Sequence, residues 1–282
     1  MKILIQANKF QRLAAEVSKY SFIKQGIKDV EIINLEDQNI LIKNFGKKYL
    51  RNGKLTTYEY NDLQSFTLLR FIPTKLSIKD FCLIVDPDIF AVTNPIPEIE
   101  KILDNKIDIF CTKINDQLRS EVMILNLKKN IWDFESLIND LFSQKIDYSD
   151  LINLKFIEKK KIKIINNKFN EHDNILTNTI FLHTSNRLTQ PWKEGLKINF
   201  KTNFSKKYII KNYIKYIFRM RYDEKAISSK YIKHKNEQVI KFVCDLFEEA
   251  YKNKFIKVSD IKFALNNKFI SKNFFNRLRI NY

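Results

Sequence analysis

One stretch constrains this chain more than any other: Phe81-Cys82-Leu83-Ile84-Val85-Asp86-Pro87-Asp88-Ile89-Phe90. Its first five residues are apolar and read as a buried strand. Two carboxylates follow at the strand's end, one residue apart with a proline between them, and then the apolar pair Ile89-Phe90. Acids so placed repel each other and lose hydration unless a cation lies between them. A hard divalent ion, manganese or magnesium, is the natural occupant, because oxygen ligands suit both. Such an ion can also grip a diphosphate. The competing reading is a plain turn, since Pro87 fixes φ and aspartate is at home in turns.

Composition removes several other classes. A chain of 282 residues that is 44% hydrophobic has ample core for one large α/β domain or two modest ones, and is not disordered. Its four glycines, Gly26, Gly46, Gly53 and Gly195, are too scattered to build a phosphate-cradling loop. A dinucleotide fingerprint, a P-loop and a Gly-x-Ser-x-Gly elbow are all absent. Cys82, Cys111 and Cys244 sit far apart in apolar runs, which reads as reduced core thiols of a cytoplasmic protein without zinc spacing. No apolar run approaches the ~20 residues that span a bilayer. Met1-Lys2-Ile3-Leu4-Ile5 reads as a first strand rather than a signal peptide.

The formal charge of +18 is unevenly placed: Lys201 to Tyr282 holds 20 Lys/Arg and 7 Asp/Glu, or +13, leaving +5 for the first 200 residues. Strands are expected at residues 2–6, 30–35, 81–85, 107–111, 121–127, 162–165 and 179–183. Helices are expected at 8–25 and 63–71, the second stopped by Pro73, and from Asp133 as cap to Phe142. Residues 39–60 read as an irregular excursion. Beyond Pro191-Trp192 the pattern is helical, over 204–220, 237–252, 258–266 and 271–278, with Ser259 and Ser271 as caps. The resulting division is a mainly parallel α/β body over 1–200 and a basic helical extension over 201–282.

Three further places bear on the site. Arg70 lies in Leu68-Leu69-Arg70-Phe71-Ile72-Pro73, shortly before the key strand, and a fixed guanidinium suits a diphosphate. His183 ends a short apolar run and precedes Pro191-Trp192-Lys193. Ala7-Asn8-Lys9-Phe10 follows the first strand, and the Asn8 amide can both donate to and accept from a base edge. With these residues the chain resembles the GT-A glycosyltransferases related to family 8, which includes glycogenin and bacterial lipopolysaccharide galactosyltransferases, over about the first 195 residues.

The resemblance implies a GT-A fold and retaining transfer of a sugar from a nucleoside diphosphate sugar, a uridine diphosphate sugar first, to a hydroxyl on a glycan, a lipid-linked saccharide or a protein. It implies a divalent metal held by Asp86, Asp88 and His183. Donor contacts would come from Ala7, Asn8, Arg70, Asp86, Pro87, Asp88, Glu121 and Lys193, with Arg70 and Asp150 near the reacting centre. The chain departs from the family pattern at four points. Asn8 replaces an acid, and Glu121 replaces a small residue beside the donor sugar. Gln190 stands where a lysine precedes Pro-Trp, and the Asp-Gln pair has no clean counterpart near Asp147-Tyr148-Ser149-Asp150.

Two other classes stay open. The basic tail with interleaved aromatics fits an accessory protein bound to nucleic acid or to an anionic membrane, although no recognised nucleic-acid motif is present. Paired acids would also serve a metal-dependent nucleotidyl or phosphoryl transferase. The expected location is the cytoplasm, with peripheral membrane contact as its extension.

Overall fold

The computed structural model describes all residues except 61, 63, 64, 77, 79, 130, 200–204, 281 and 282. The chain divides into two compact units, Met1–His183 and Thr184–Tyr282. In the first unit, strand β1 (Lys2–Ala7) leads into helix α1 (Arg12–Lys24) and strand β2 (Val30–Asn34). Next come α2 (Asn39–Ile42), β3 (Lys48–Arg51), β4 (Lys54–Thr57) and a 3₁₀ segment over Ser65–Lys75. Strands β5 (Phe81–Val85) and β6 (Ile89–Ala91) flank the acid pair. They are followed by α3 (Ile96–Glu100), β7 (Ile109–Ile114), β8 (Gln117–Asn126), α4 (Phe134–Phe142) and α5 (Tyr148–Ile152). The unit closes with β9 (Ile162–Ile164), β10 (Glu171–His172) and β11 (Phe181–His183).

The main sheet has the order β2-β1-β5-β8-β7-β9. Neighbours β2, β1 and β5 are parallel, as are β7 and β9, while β8 runs against both β5 and β7. This is the mixed, mainly parallel α/β sheet that the sequence implies. Both faces are covered, which is why β5 is apolar at every position. Leu4, Cys82, Ile84, Met123 and Leu125 pack on the side of the 3₁₀ segment and α4, whereas Ile3, Ile5, Leu83, Val85 and Ile124 pack on the side of α1. Asp133 caps α4 by accepting from the Ser136 N–H at 2.6 Å, as its position predicts.

A smaller sheet, β10-β11-β6, positions the site. β11 runs antiparallel to β6 with His183 opposite Ile89, and β10 runs parallel to β11 with His172 opposite His183. Two serines on the buried side of α1 anchor β6. The Ser18 hydroxyl donates to the Ile89 carbonyl at 2.5 Å, and the Ser21 hydroxyl accepts from the Ala91 N–H at 2.8 Å. The segment that follows the acid pair is therefore held to the body by specific hydrogen bonds.

The second unit contains α6 (Lys206–Ile217), α7 (Glu224–Ile227), α8 (Glu237–Lys252), α9 (Val258–Asn266) and α10 (Lys272–Phe275). Its core gathers Val243, Phe247, Ile261 and Phe274 with Trp192, whose ring lies 6.2 Å from that of Phe247.

Several expectations need correction. Helix α1 starts at Arg12, because Asn8 turns the chain first: its carboxamide oxygen accepts from the N–H groups of Phe10 and Gln11. The segment around Arg70 is 3₁₀ and runs through Pro73 to Lys75, while Leu63 and Gln64 lie outside the described residues. Residues 39–60 are ordered: Asn52 and Gly53, at φ 52° and 70°, form the two-residue turn of the β3–β4 hairpin. Ser259 lies inside α9, which begins at Val258; Ser271 does cap α10, accepting from the Phe274 N–H at 3.0 Å. The start of the expected helix over 204–220, at Phe204, also lies outside the described residues.

Phe181 carries the weight of β11, with its ring 5.4 Å from Phe22 and 5.9 Å from Phe169. Phe181→Ala is expected to cost about 3–5 kcal/mol in urea unfolding, by lost burial and the cavity left behind. A cost below about 1 kcal/mol would show that β11 is not pinned by this ring.

Candidate metal and donor site

The acid pair forms a turn and a cluster at once. The Asp86 N–H donates to the Glu121 carbonyl at 3.1 Å, continuing the β5–β8 ladder. The Asp86 carbonyl accepts from the Ile89 N–H at 3.2 Å, closing a tight turn over Pro87 and Asp88. That turn, with the β6–β11 pairing, brings Asp86, Asp88 and His183 together, and one ligand atom from each lies within 4.8 Å of the others. His183 Nε2 is 3.6 Å from Asp88 Oδ1.

Arg70 fixes the inner acid. Its Nε donates to Asp86 Oδ1 at 2.9 Å and its Nη2 to Oδ2 at 2.5 Å, while Nη1 reaches Ser120 Oγ at 2.8 Å. Both partners are buried, so the pair is a charge-assisted fork in a dry environment. Burial pushes the Asp86 carboxyl up, to about 6, against the pull of Arg70. Burial acts against the Arg70 charge, but Asp86 and Glu121 outweigh it and raise the guanidinium above its ordinary value. Glu121 is buried beside them and pairs with Arg119. Burial would raise its carboxyl, but Arg70 and Arg119 prevail and hold it below the usual range.

His183 is set up as a ligand by its neighbours. Burial lowers its pKa, which favours the neutral ring. The Asn170 amide nitrogen donates to Thr112 Oγ1 at 3.2 Å, so its oxygen faces His183 Nδ1 at 2.9 Å. Nδ1 then carries the proton, and the Nε2 lone pair points toward Asp88. Two carboxylates and a neutral imidazole fit a divalent ion. His172 packs against His183 with ring centroids 4.8 Å apart; burial, with His183 beside it, lowers its pKa to about 4.

Sequence reasoning missed Asn170, His172 and Gln6. Ile5 pairs with Val85, so the next residues, Gln6 and Asp86, stand side by side, and pleat alternation places them on one face with Glu121. Gln6 is 1% exposed, and among the described residues neither atom of its amide has a hydrogen-bond partner. The Glu121 Oε2 atom is likewise unpartnered. A glutamine near the end of a mostly apolar strand was the available signal.

The remaining candidate residues fall elsewhere or are engaged. Ala7 ends β1 and is buried. The Asn8 amide also donates to Ser65 Oγ at 3.1 Å, so its polar atoms serve the local turn. Pro87 forms the turn between the acids. Asp150 stands in the first turn of α5, half exposed, with Lys155 Nζ at 2.7 Å, and is not part of the Asp86–Asp88–His183 cluster. Lys193 belongs to the second unit, where it is buried with Nζ 5.5 Å from the Tyr231 ring centroid.

No protein-family model and no curated protein matches this sequence. Solved structures of GT-A glycosyltransferases are similar to it. One is the galactosyltransferase LgtC in complex with donor and acceptor sugar analogues, at 13% identity and a TM-score of 0.49, covering 68% of this chain and 89% of that one. The glycosyltransferase GlyE of Streptococcus pneumoniae gives 14% identity and a TM-score of 0.46, over 71% of this chain and 57% of that one. Mouse xyloside xylosyltransferase 1 gives 12% and 0.42, over 65% and 97%. At these identities the likeness is one of fold.

The orphaned amide yields a stability test. Gln6→Leu keeps the side-chain volume and removes two unsatisfied polar atoms, so it is expected to raise the unfolding free energy by about 1 kcal/mol or more. Urea denaturation measures this, and a destabilised variant would show that the amide is satisfied in the folded protein.

Proposed function

We propose that this chain is a metal-dependent glycosyltransferase that moves a sugar from a nucleoside diphosphate sugar to a hydroxyl acceptor. The observation that carries the reading is the Asp86–Asp88–His183 cluster at the carboxyl end of a mainly parallel sheet, where α/β proteins bind ligands. Asp86, Asp88 and His183 would hold manganese or magnesium. When bound, the ion supplies neutralisation of the charge that builds on the departing diphosphate.

The chain's own residues set up the rest. Arg70 orients Asp86 and adds a fixed positive charge beside the site. Asn170 holds His183 in the tautomer that presents Nε2. Gln6 and Glu121 keep unpartnered polar atoms on the face that carries Asp86 and would accept or donate to donor hydroxyls. On the family resemblance alone, Lys193 is proposed as a further phosphate contact and Asp150 as a residue near the reacting centre. Ala7 and Asn8 are proposed at the base on the family resemblance, which also favours uridine and retention; Asn8 would then have to exchange a hydrogen bond of its local turn for one to the base. In this reading the expected donor-binding body of 1–200 extends past the compact unit Met1–His183 to take in Pro191-Trp192-Lys193, and the extension 201–282 is ancillary.

Asp88→Asn keeps the turn but weakens the cluster. It is expected to abolish the manganese-dependent gain in thermal stability with uridine diphosphate, a gain that mass action sets at about 2.7 kcal/mol when ligand is 100-fold above Kd. Undiminished stabilisation in the variant would place the metal elsewhere. Product analysis separates the reaction classes. Sugar transfer leaves a nucleoside diphosphate, and release of pyrophosphate would instead identify a nucleotidyl transferase.

A further inference from the structure

Helix α6 faces the wrong way for a helix that packs only on its own unit. Ile210, Tyr213, Ile214 and Ile217 fall at i, i+3, i+4 and i+7, the spacing of one apolar stripe. A surface helix normally buries that stripe. Here the four residues are 59%, 56%, 49% and 59% exposed, and Phe218 and Met220 extend the exposed apolar surface at 70% and 58%.

The side turned inward is mixed, with Ile209 half-buried one turn before Asn212. Asn212 is the buried residue of α6. Its amide donates to the Tyr208 carbonyl at 2.9 Å and accepts from the Asp223 N–H at 2.9 Å, just before α7. The unit thus spends a carboxamide on its own packing and leaves isoleucines in water.

The charge around the stripe is of one sign. Lys206, Lys207, Lys211, Lys215, Arg219 and Arg221 fall between residues 206 and 222, where no Asp or Glu occurs. We propose that α6 docks on an anionic lipid bilayer, with Ile210, Tyr213, Ile214 and Ile217 entering the acyl boundary and the flanking lysines and arginines meeting the headgroups. Cations flanking an apolar helix face match a surface that is negative outside and apolar beneath. Nucleic acid complements the cations and the aromatic rings but has no use for three exposed isoleucines. A second copy of the chain would press two acid-free cationic faces together. Among the described residues no helix is long and apolar enough to cross a membrane, so the contact is a surface one.

Flotation of the full chain with vesicles tests the proposal independently of metal and donor. Binding is expected to phosphatidylcholine vesicles that contain phosphatidylserine, weakening as salt is raised, and not to phosphatidylcholine alone. Two double variants, Ile214→Gln with Ile217→Gln, and Lys207→Gln with Lys211→Gln, are each expected to lower the partition by about tenfold or more. All four positions are exposed, so circular dichroism should report an unchanged fold. Three results would overturn the proposal. The first is no flotation with anionic vesicles, and the second is full flotation of the isoleucine variant. The third is a dimer in sedimentation velocity that the isoleucine variant dissolves while flotation stays absent, which would assign the stripe to a second copy.

Discussion

The buried Arg70–Asp86 fork is the interaction on which the site depends. Taking both charges out of water costs several kcal/mol each, and only close, doubly hydrogen-bonded contact offsets that. The geometry meets the requirement, with two contacts to the carboxylate and a third to Ser120. Such a pair is poor evidence for extra stability, because an apolar pair of the same shape often does as well. Its geometry fits a role in holding Asp86 ionised and aimed.

Charge balance around the fork favours a further cation. Asp86, Asp88 and Glu121 bring three carboxylates, and Arg70 and Arg119 bring two guanidiniums, so with neutral imidazoles the fully ionised cluster carries one net negative charge. A divalent ion would reverse that sign and leave the site ready for an anion such as a diphosphate. The fold makes the balance possible. β8 runs against its neighbours and carries Glu121 up beside Asp86, while β6 and β11 return His183 to the same place.

Much of this was legible in the sequence because it is local. An apolar run ended by Asp-Pro-Asp describes a buried strand and its turn within ten residues, and the structure keeps both readings, the turn and the acid cluster. His183 was legible only through the family resemblance, since nothing in its own neighbourhood says that β11 pairs with β6. Asn170 and His172 were not legible: their roles come from β10 alignment and a short 3₁₀ turn, which no periodicity announces. The β3–β4 hairpin has a legible signal in Asn52-Gly53, a strong turn pair. Its backbone N–H groups are held by the Asp147 carboxylate at 3.0 and 2.7 Å, a long-range contact hidden from sequence. The α6 stripe was visible as a pattern, yet only the structure tells which way it faces.

The central claim is that Asp86, Asp88 and His183 form one cation site. Anomalous diffraction from a crystal soaked in manganese tests it most directly. The account predicts a single strong peak bonded to carboxylate oxygens of Asp86 and Asp88 and to Nε2 of His183. A manganese peak elsewhere, or none at this cluster under conditions that support donor binding, would contradict it.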